Sequence, residues 1–233
     1  VTDPAEADLH RNEVFWPLLE KYAEMLGALI LEASEHWLRE ERARQAEELR
    51  ALDLRLVEAP NLGSAMRAVA DCAERLLRPD QCHIRFRQGD VLSLMALAGK
   101  GLEARLRDTV SVQQDKEVSV SAAFINNGRW DQPFIFGPAD LAVIAVNLRN
   151  LGRTATATQF ERLKCCGVFG LLGPEKELIG VLVVDSKAEH YFDRERISVA
   201  KDVVARAQIV LAHNLAHQRL QNLINSLDSE VAV

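Results

Sequence analysis

Long apolar runs are missing from this 233-residue chain. No stretch of about 18 consecutive apolar residues occurs, so the sequence predicts no membrane span. The nearest approach, "MLGALILEA" around Leu26–Leu31, ends in charges within one or two helical turns. The opening "VTDPAEADLHR" is polar and acidic, which is not the pattern of a secretory leader. Basic residues are not in excess: Lys and Arg total 28 against 34 Asp and Glu, a formal net charge of −6. A general nucleic-acid binder needs a basic face to neutralise phosphates, so that class is not expected. Cysteine is sparse. Cys72, Cys82, Cys165 and Cys166 form no C-x-x-C pair and no zinc spacing. Three of them fall inside predicted helices or strands, where cysteine acts as a small buried hydrophobe. Reduced thiols and a cytoplasmic location are the expectation. There is no phosphate loop, no H-E-x-x-H and no nucleophile elbow. The sequence therefore predicts no catalytic residue and no metal site, and it identifies no cofactor.

What remains is ample for a core. Hydrophobic residues make up 48% of the chain, although aromatics reach only 6%. The length suits one domain with extensions, or two small ones. Residues 1–13 are polar and expected to fray. Trp16-Pro17 can open a helix, because proline is tolerated in the first turn. From there to about Val57, Leu19, Tyr22, Leu26, Leu29, Ala33 and Trp37 recur at steps of three and four, the pattern of a coiled-coil seam. A charged stretch follows, "REERARQAEE", in which Glu40 and Arg44 stand at helical pairing distance. Glu58-Ala59-Pro60-Asn61 breaks the helix, and Asn61 is placed to cap the next one over Leu62–Leu77.

The region from Cys166 to Asn214 carries the clearest architecture. "CGVFGLL", a turn at Gly173-Pro174, "LIGVLVVDS", a second turn and a long amphipathic helix follow in order. Beyond Leu211 the helix continues. Ala216, Leu220, Leu223 or Ile224, and Leu227 extend an apolar stripe that needs a partner helix to bury it.

This order resembles the closing half of a GAF domain, a small-molecule sensor domain of signalling proteins. The resemblance extends backward through "NLGSAMRAVADCAERLL", "CHIRFRQ", "VLSLMALAG" and "EVSVSAAFINNGRWDQPFIF", and covers roughly residues 55–215. Two departures fall where the family shapes its ligand pocket. Val118 to Val120 replace the family's usual glycines, and the segment Ala139 to Arg162 is longer than expected. The resemblance implies an α+β fold, a GAF-like antiparallel sheet packed by helices, and the apolar stripes of the long terminal helices add the expectation of a dimeric bundle or coiled coil. It divides the chain into a helical segment over 1–57, a GAF-like domain over 58–215 and a helical extension over 216–233.

Candidate binding residues lie in three places. In "CHIRFRQ", strand alternation puts His83, Arg85 and Arg87 on one face and Cys82, Ile84 and Phe86 on the other. Arg85 can bind an anion in bidentate fashion, with His83 beside it; the ordinary alternative is an exposed strand face. Phe124, Trp130, Phe134 and Phe136 form the densest aromatic cluster, around turn chemistry at Gly128, with Asn126 next to it. They suit a pocket lid or an ordinary core. Phe169, on "CGVFGLL", completes the set. Two weaker patterns read as structural. Cys165-Cys166 lies beside Lys164 and Arg162, which can lower a thiol pKa. His213 and His217 stand four apart on the last helix. The expected function is a small-molecule-sensing or regulatory module that signals through dimeric helices to a partner outside this chain. The alternative is a ligand-free dimerisation or scaffolding module. A cysteine-based redox activity ranks third.

Overall fold

A computed structural model describes residues 4–99 and 109–231, with side chains from 15 to 99 and from 109 to 214, and at 216 and 220. The chain divides into two compact units, Val1–Glu47 and Glu48–Val233. Helix α1 (Pro4–Glu58) forms the described part of the first unit and opens the second. Pro17 lies inside α1, where the sequence reading places a helix start. A proline there removes one backbone donor; the surrounding Leu, Glu and Ala residues are strong helix formers. Within the first unit Leu19, Tyr22, Leu26, Leu29 and Trp37 are all exposed, at 41–62%. Arg39 pairs with Glu35 at 3.0 Å, and Arg44 with Glu41.

The second unit continues with α2 (Leu62–Leu77), β1 (Gln81–Gln88), β2 (Val91–Gly99), β3 (Thr109–Ser111), α3 (Val120–Asn127), β4 (Phe134–Phe136), α4 (Pro138–Asn150), α5 (Thr154–Arg162), β5 (Cys165–Leu172), β6 (Leu178–Ser186) and α6 (Arg194–Val231). The Asn61 carboxamide oxygen accepts from Ser64 N at 2.9 Å and starts α2. Arg78 ends α2 in the left-handed region just before Pro79, which cannot continue a helix. At the start of α6, Asp193 Oδ1 accepts from Arg196 N at 2.7 Å.

The six strands form one antiparallel sheet in the order β3-β2-β1-β6-β5-β4. Its two faces support two cores. One face packs on the last turns of α1, on α2 and on α6, and buries Leu52, Met66, Val69, Ile84, Leu182, Val184, Val203 and Leu211. The other packs on α3, α4 and α5, and buries Leu92, Phe124, Leu141, Leu148, Val168, Val181 and Val183. Alternation assigns residues to faces, with two interruptions. A register shift opposite Ile84/Arg85 inserts one extra residue in β2, so Leu92 faces one core and Ala96 the other. A second shift beside Leu171/Leu172 does the same in β6 between Ile179 and Val181. Gly180 sits where a Cβ would meet the Arg85 carbonyl, so the centre of the sheet requires glycine there.

Candidate functional site

Strand alternation on β1 sends His83 and Arg85 to the α3–α5 face. Both are buried rather than solvent-facing, at 4% and 3% exposure. On β6, Asp185 falls on the same face and is 5% exposed. These side chains form the floor of a cavity of about 70 Å³. Its walls come from Val110 on β3, Asp115 and Val118 in the following loop, and Ser119 to Ser121 at the start of α3. Leu148 of α4 and one side of α5 (Thr156, Gln159, Phe160 and Leu163) close it.

The electrostatics follow from burial. Arg153, at the start of α5, binds Asp115 Oδ1 through Nη1 at 2.9 Å. Asp115 Oδ2 also accepts from Ser111 N at 3.0 Å, which ties the loop after β3 to α5. Burial raises the Asp185 carboxyl to about 6, against a smaller lowering by the Cys166 thiol and the Arg85 guanidinium. Burial, with Arg85 adding to it, holds the His83 imidazole well below the usual histidine range, so it is neutral at pH 7. Its Nδ1 has no hydrogen-bond partner among the described residues, and Asp185 Oδ2 lies 4.0 Å away.

The remaining candidates lie elsewhere. Phe124 is a core residue, 1% exposed. The Asn126 amide donates to Val112 O and Ala122 O, both at 2.8 Å, and braces the start of the loop after β3 against α3. Trp130 donates through Nε1 to Ile125 O at 2.9 Å, and its ring lies under the Arg87 guanidinium. Phe134 and Phe136 pack together at 4.6 Å between ring centroids. Phe169 belongs to the α2/α6 core and, with Trp130, Lys201 and Gln208, lines a second, more open depression of about 260 Å³. The cavity thus holds His83 and Arg85 and none of the six other candidates. It also holds Asp115, Arg153, Gln159 and Asp185, which the sequence reading does not single out. One signal was available: Asp185 is the lone charge in "LIGVLVVDS".

The four thiols are all free and buried. Burial raises Cys72 to about 11 and Cys82 to about 12, and also raises Cys165 and Cys166. Lys164, beside Cys165, pairs instead with Glu189 at 3.6 Å. Reactive cysteines need the opposite shift. His213 is exposed; the His217 side chain lies outside the described residues, as do those of Leu223, Ile224 and Leu227 and of the first 14 residues. No group of three or more metal-ligating side chains occurs among the described residues.

No protein-family profile matches the sequence, and no curated protein does. Solved structures do match in shape. The GAF domain from the Acinetobacter phosphoenolpyruvate-protein phosphotransferase superposes with a TM-score of 0.54 at 16% identity, covering 76% of this chain and 98% of that one. The phycoerythrobilin-bound GAF domain from a cyanobacterial phytochrome gives 0.54 at 15%, covering 75% and 97%. A methyl-accepting chemotaxis protein gives 0.53 at 15%, covering 70% and 96%. The second unit has the GAF fold.

Proposed function

We propose that this chain is a sensory or regulatory module. It holds a small molecule between the sheet and the segment Val118–Arg162. It pairs with a second copy through its terminal helices and passes the state of the cavity to a partner protein. The observation that carries this reading is the cavity itself. Folding places Arg85, Asp185 and an imidazole whose Nδ1 has no hydrogen-bond partner among the described residues around one cavity, and a buried nitrogen of that kind ordinarily finds a partner. Structural neighbours from a phytochrome and a chemotaxis protein support a signalling role. The bilin of the phytochrome neighbour does not transfer: about 70 Å³ is too small for a tetrapyrrole. Catalysis by thiolate has no support in four buried, proton-retaining thiols.

The test is hydrogen exchange on protein purified from its source, alongside native mass spectrometry. A retained compound should protect residues 118–162 more than the terminal helices. Protection confined to 15–55 or 205–230 would move the site to the helices and end this reading. The scaffold alternative draws on the internal satisfaction of the aromatic segment, where Phe124 is core and Trp130 is bonded within its own loop. It predicts no retained mass and no protection by any added compound.

A further inference from the structure

We infer that the open edge of β5 at Gly170 and Leu172 is a docking site for an extended peptide of a partner protein, taken up as an added strand. The site shares no described lining residue with the cavity, so either can fail without the other.

The edge comes from unequal pairing. β5 runs beside β6 from Cys165 to Leu172, but beside β4 only from Cys166 to Val168. Pro133 has no N–H with which to continue β4. The chain before it crosses over β5 instead, so that a Cβ on Gly170 would meet the Trp130 carbonyl. Backbone groups alternate in direction along a strand. Gly173 N, just past β5, bonds Glu177 O across the hairpin, so the odd-numbered residues of β5 face β6. The N–H and C=O groups of Gly170 and Leu172 therefore point to the β4 side, where no described strand meets them. The Gly170 carbonyl accepts from the Gln208 carboxamide at 3.3 Å, as a group turned out of the ladder can. The Gly170 N–H has no hydrogen-bond partner among the described residues, although Gly170 is buried. A buried amide left in that state is rare in folded proteins.

Shape and charge select the occupant. The edge opens into the depression of about 260 Å³ between residues 130–133 and α6. β4 projects beyond it by one strand, about 4.8 Å. That step holds off the folded sheet edge of a second copy, whereas a single extended chain fits behind it. Such a chain, antiparallel to β5 and in line with β4, bonds the open backbone groups and turns alternate side chains toward α6. On that wall Phe169 and Val204 offer apolar surface and Lys201 a cation. The peptide accordingly carries an apolar and an acidic residue two positions apart.

The experiment titrates the full chain, isotope-labelled at glycine and leucine amides, with acetyl-Thr-Val-Thr-Glu-Thr amide. The Gly170 and Leu172 amides should shift and gain protection from exchange, with half-saturation below about 1 mM. Directly opposed residues of an antiparallel pair share a face, so the threonine nitrogens face β5 when valine and glutamate face α6. Methylating the threonine nitrogens should weaken binding at least about tenfold, through lost hydrogen bonds to the edge. Methylating the valine and glutamate nitrogens should leave it unchanged. Lysine in place of glutamate should also weaken binding. Leu172→Pro removes an N–H that β6 does not use, and should abolish binding with the parent circular dichroism retained. Should that variant lose its fold, the two methylated peptides decide the matter. No shift at Gly170 and Leu172 at millimolar peptide, equal binding of the two methylated forms, or equal binding of the lysine peptide would each overturn the inference. So would a lower mass in light scattering for a folded Leu172→Pro, which would give the edge to a second copy.

Discussion

Asp185 stands between two neighbours on adjacent strands. The Cys166 thiol on β5 is hydrogen-bonded to its carboxyl, while His83 on β1 is neutral and offers no countercharge. Burial dominates, and the carboxyl is raised from 3.8 to about 6. The sign of the stability effect follows. Between about pH 4 and 6 the folded chain keeps a proton that the unfolded chain releases, so this group lowers stability as pH rises through that window and the loss persists above it. Asp185→Asn removes the titration and keeps an acceptor for Cys166. The variant should gain on the parent by on the order of 2–3 kcal/mol between pH 4 and pH 7, in urea unfolding measured at both. His83 titrates in both proteins and shifts stability in the opposite direction, so the difference isolates Asp185. A pH-independent difference would show that Asp185 is ionised at little cost in the fold.

Single elements depend on their ends as well as on their buried faces. Helix α2 packs beside α6 with Leu52 and Leu56 of α1 in the same core, and Arg75 to Glu48 and Arg206 to Asp53, at 2.8 and 3.0 Å, tie the three helices at the rim. Those ion pairs are partly exposed and contribute little. The Asn61 cap answers for one of the orphan donors at the start of α2. Asn61→Ala should therefore cost about 1 kcal/mol, read as a lower urea midpoint with unchanged slope, and Asn61→Ser should restore most of it. No change in Asn61→Ala would mean that packing alone sets the helix start.

At the scale of the whole molecule, the exposed seam of α1 calls for a second surface. Leu19, Tyr22, Leu26, Leu29 and Trp37 lie at coiled-coil spacing, each more than two-fifths exposed, and Leu220 on α6 is 59% exposed. Apolar stripes of this length are ordinarily buried by association. The full chain should run as a homodimer in light scattering at micromolar concentration. Deletion of residues 1–45 should give a smaller and less stable species. A full-length monomer would leave the stripe to a different partner and remove the symmetric part of the proposal.

Much of the second unit was legible before folding was considered. The bounds of α2, β2 and β6 follow from the Asn61 cap and from the apolar runs "VLSLMALAG" and "LIGVLVVDS", because caps and short apolar runs are local physics. The facing of His83 and Arg85 is also local, since the extra residues fall in β2 and β6 and β1 keeps its alternation. Other features needed the tertiary structure. The segment Ala139 to Arg162, unexpectedly long as a sequence, is the greater part of two helices, α4 and α5, that close one wall of the cavity. Burial of Arg85, the pairing of Arg153 with Asp115 across 38 positions, and the meeting of Asp185 with Cys166 and His83 arise only when distant segments share one face of the sheet. The sequence by itself determined the elements and their apolar faces, because those depend on neighbours a few residues away. Tertiary structure alone decided which polar groups became buried and what they face, because desolvation and charge proximity are properties of the assembled interior.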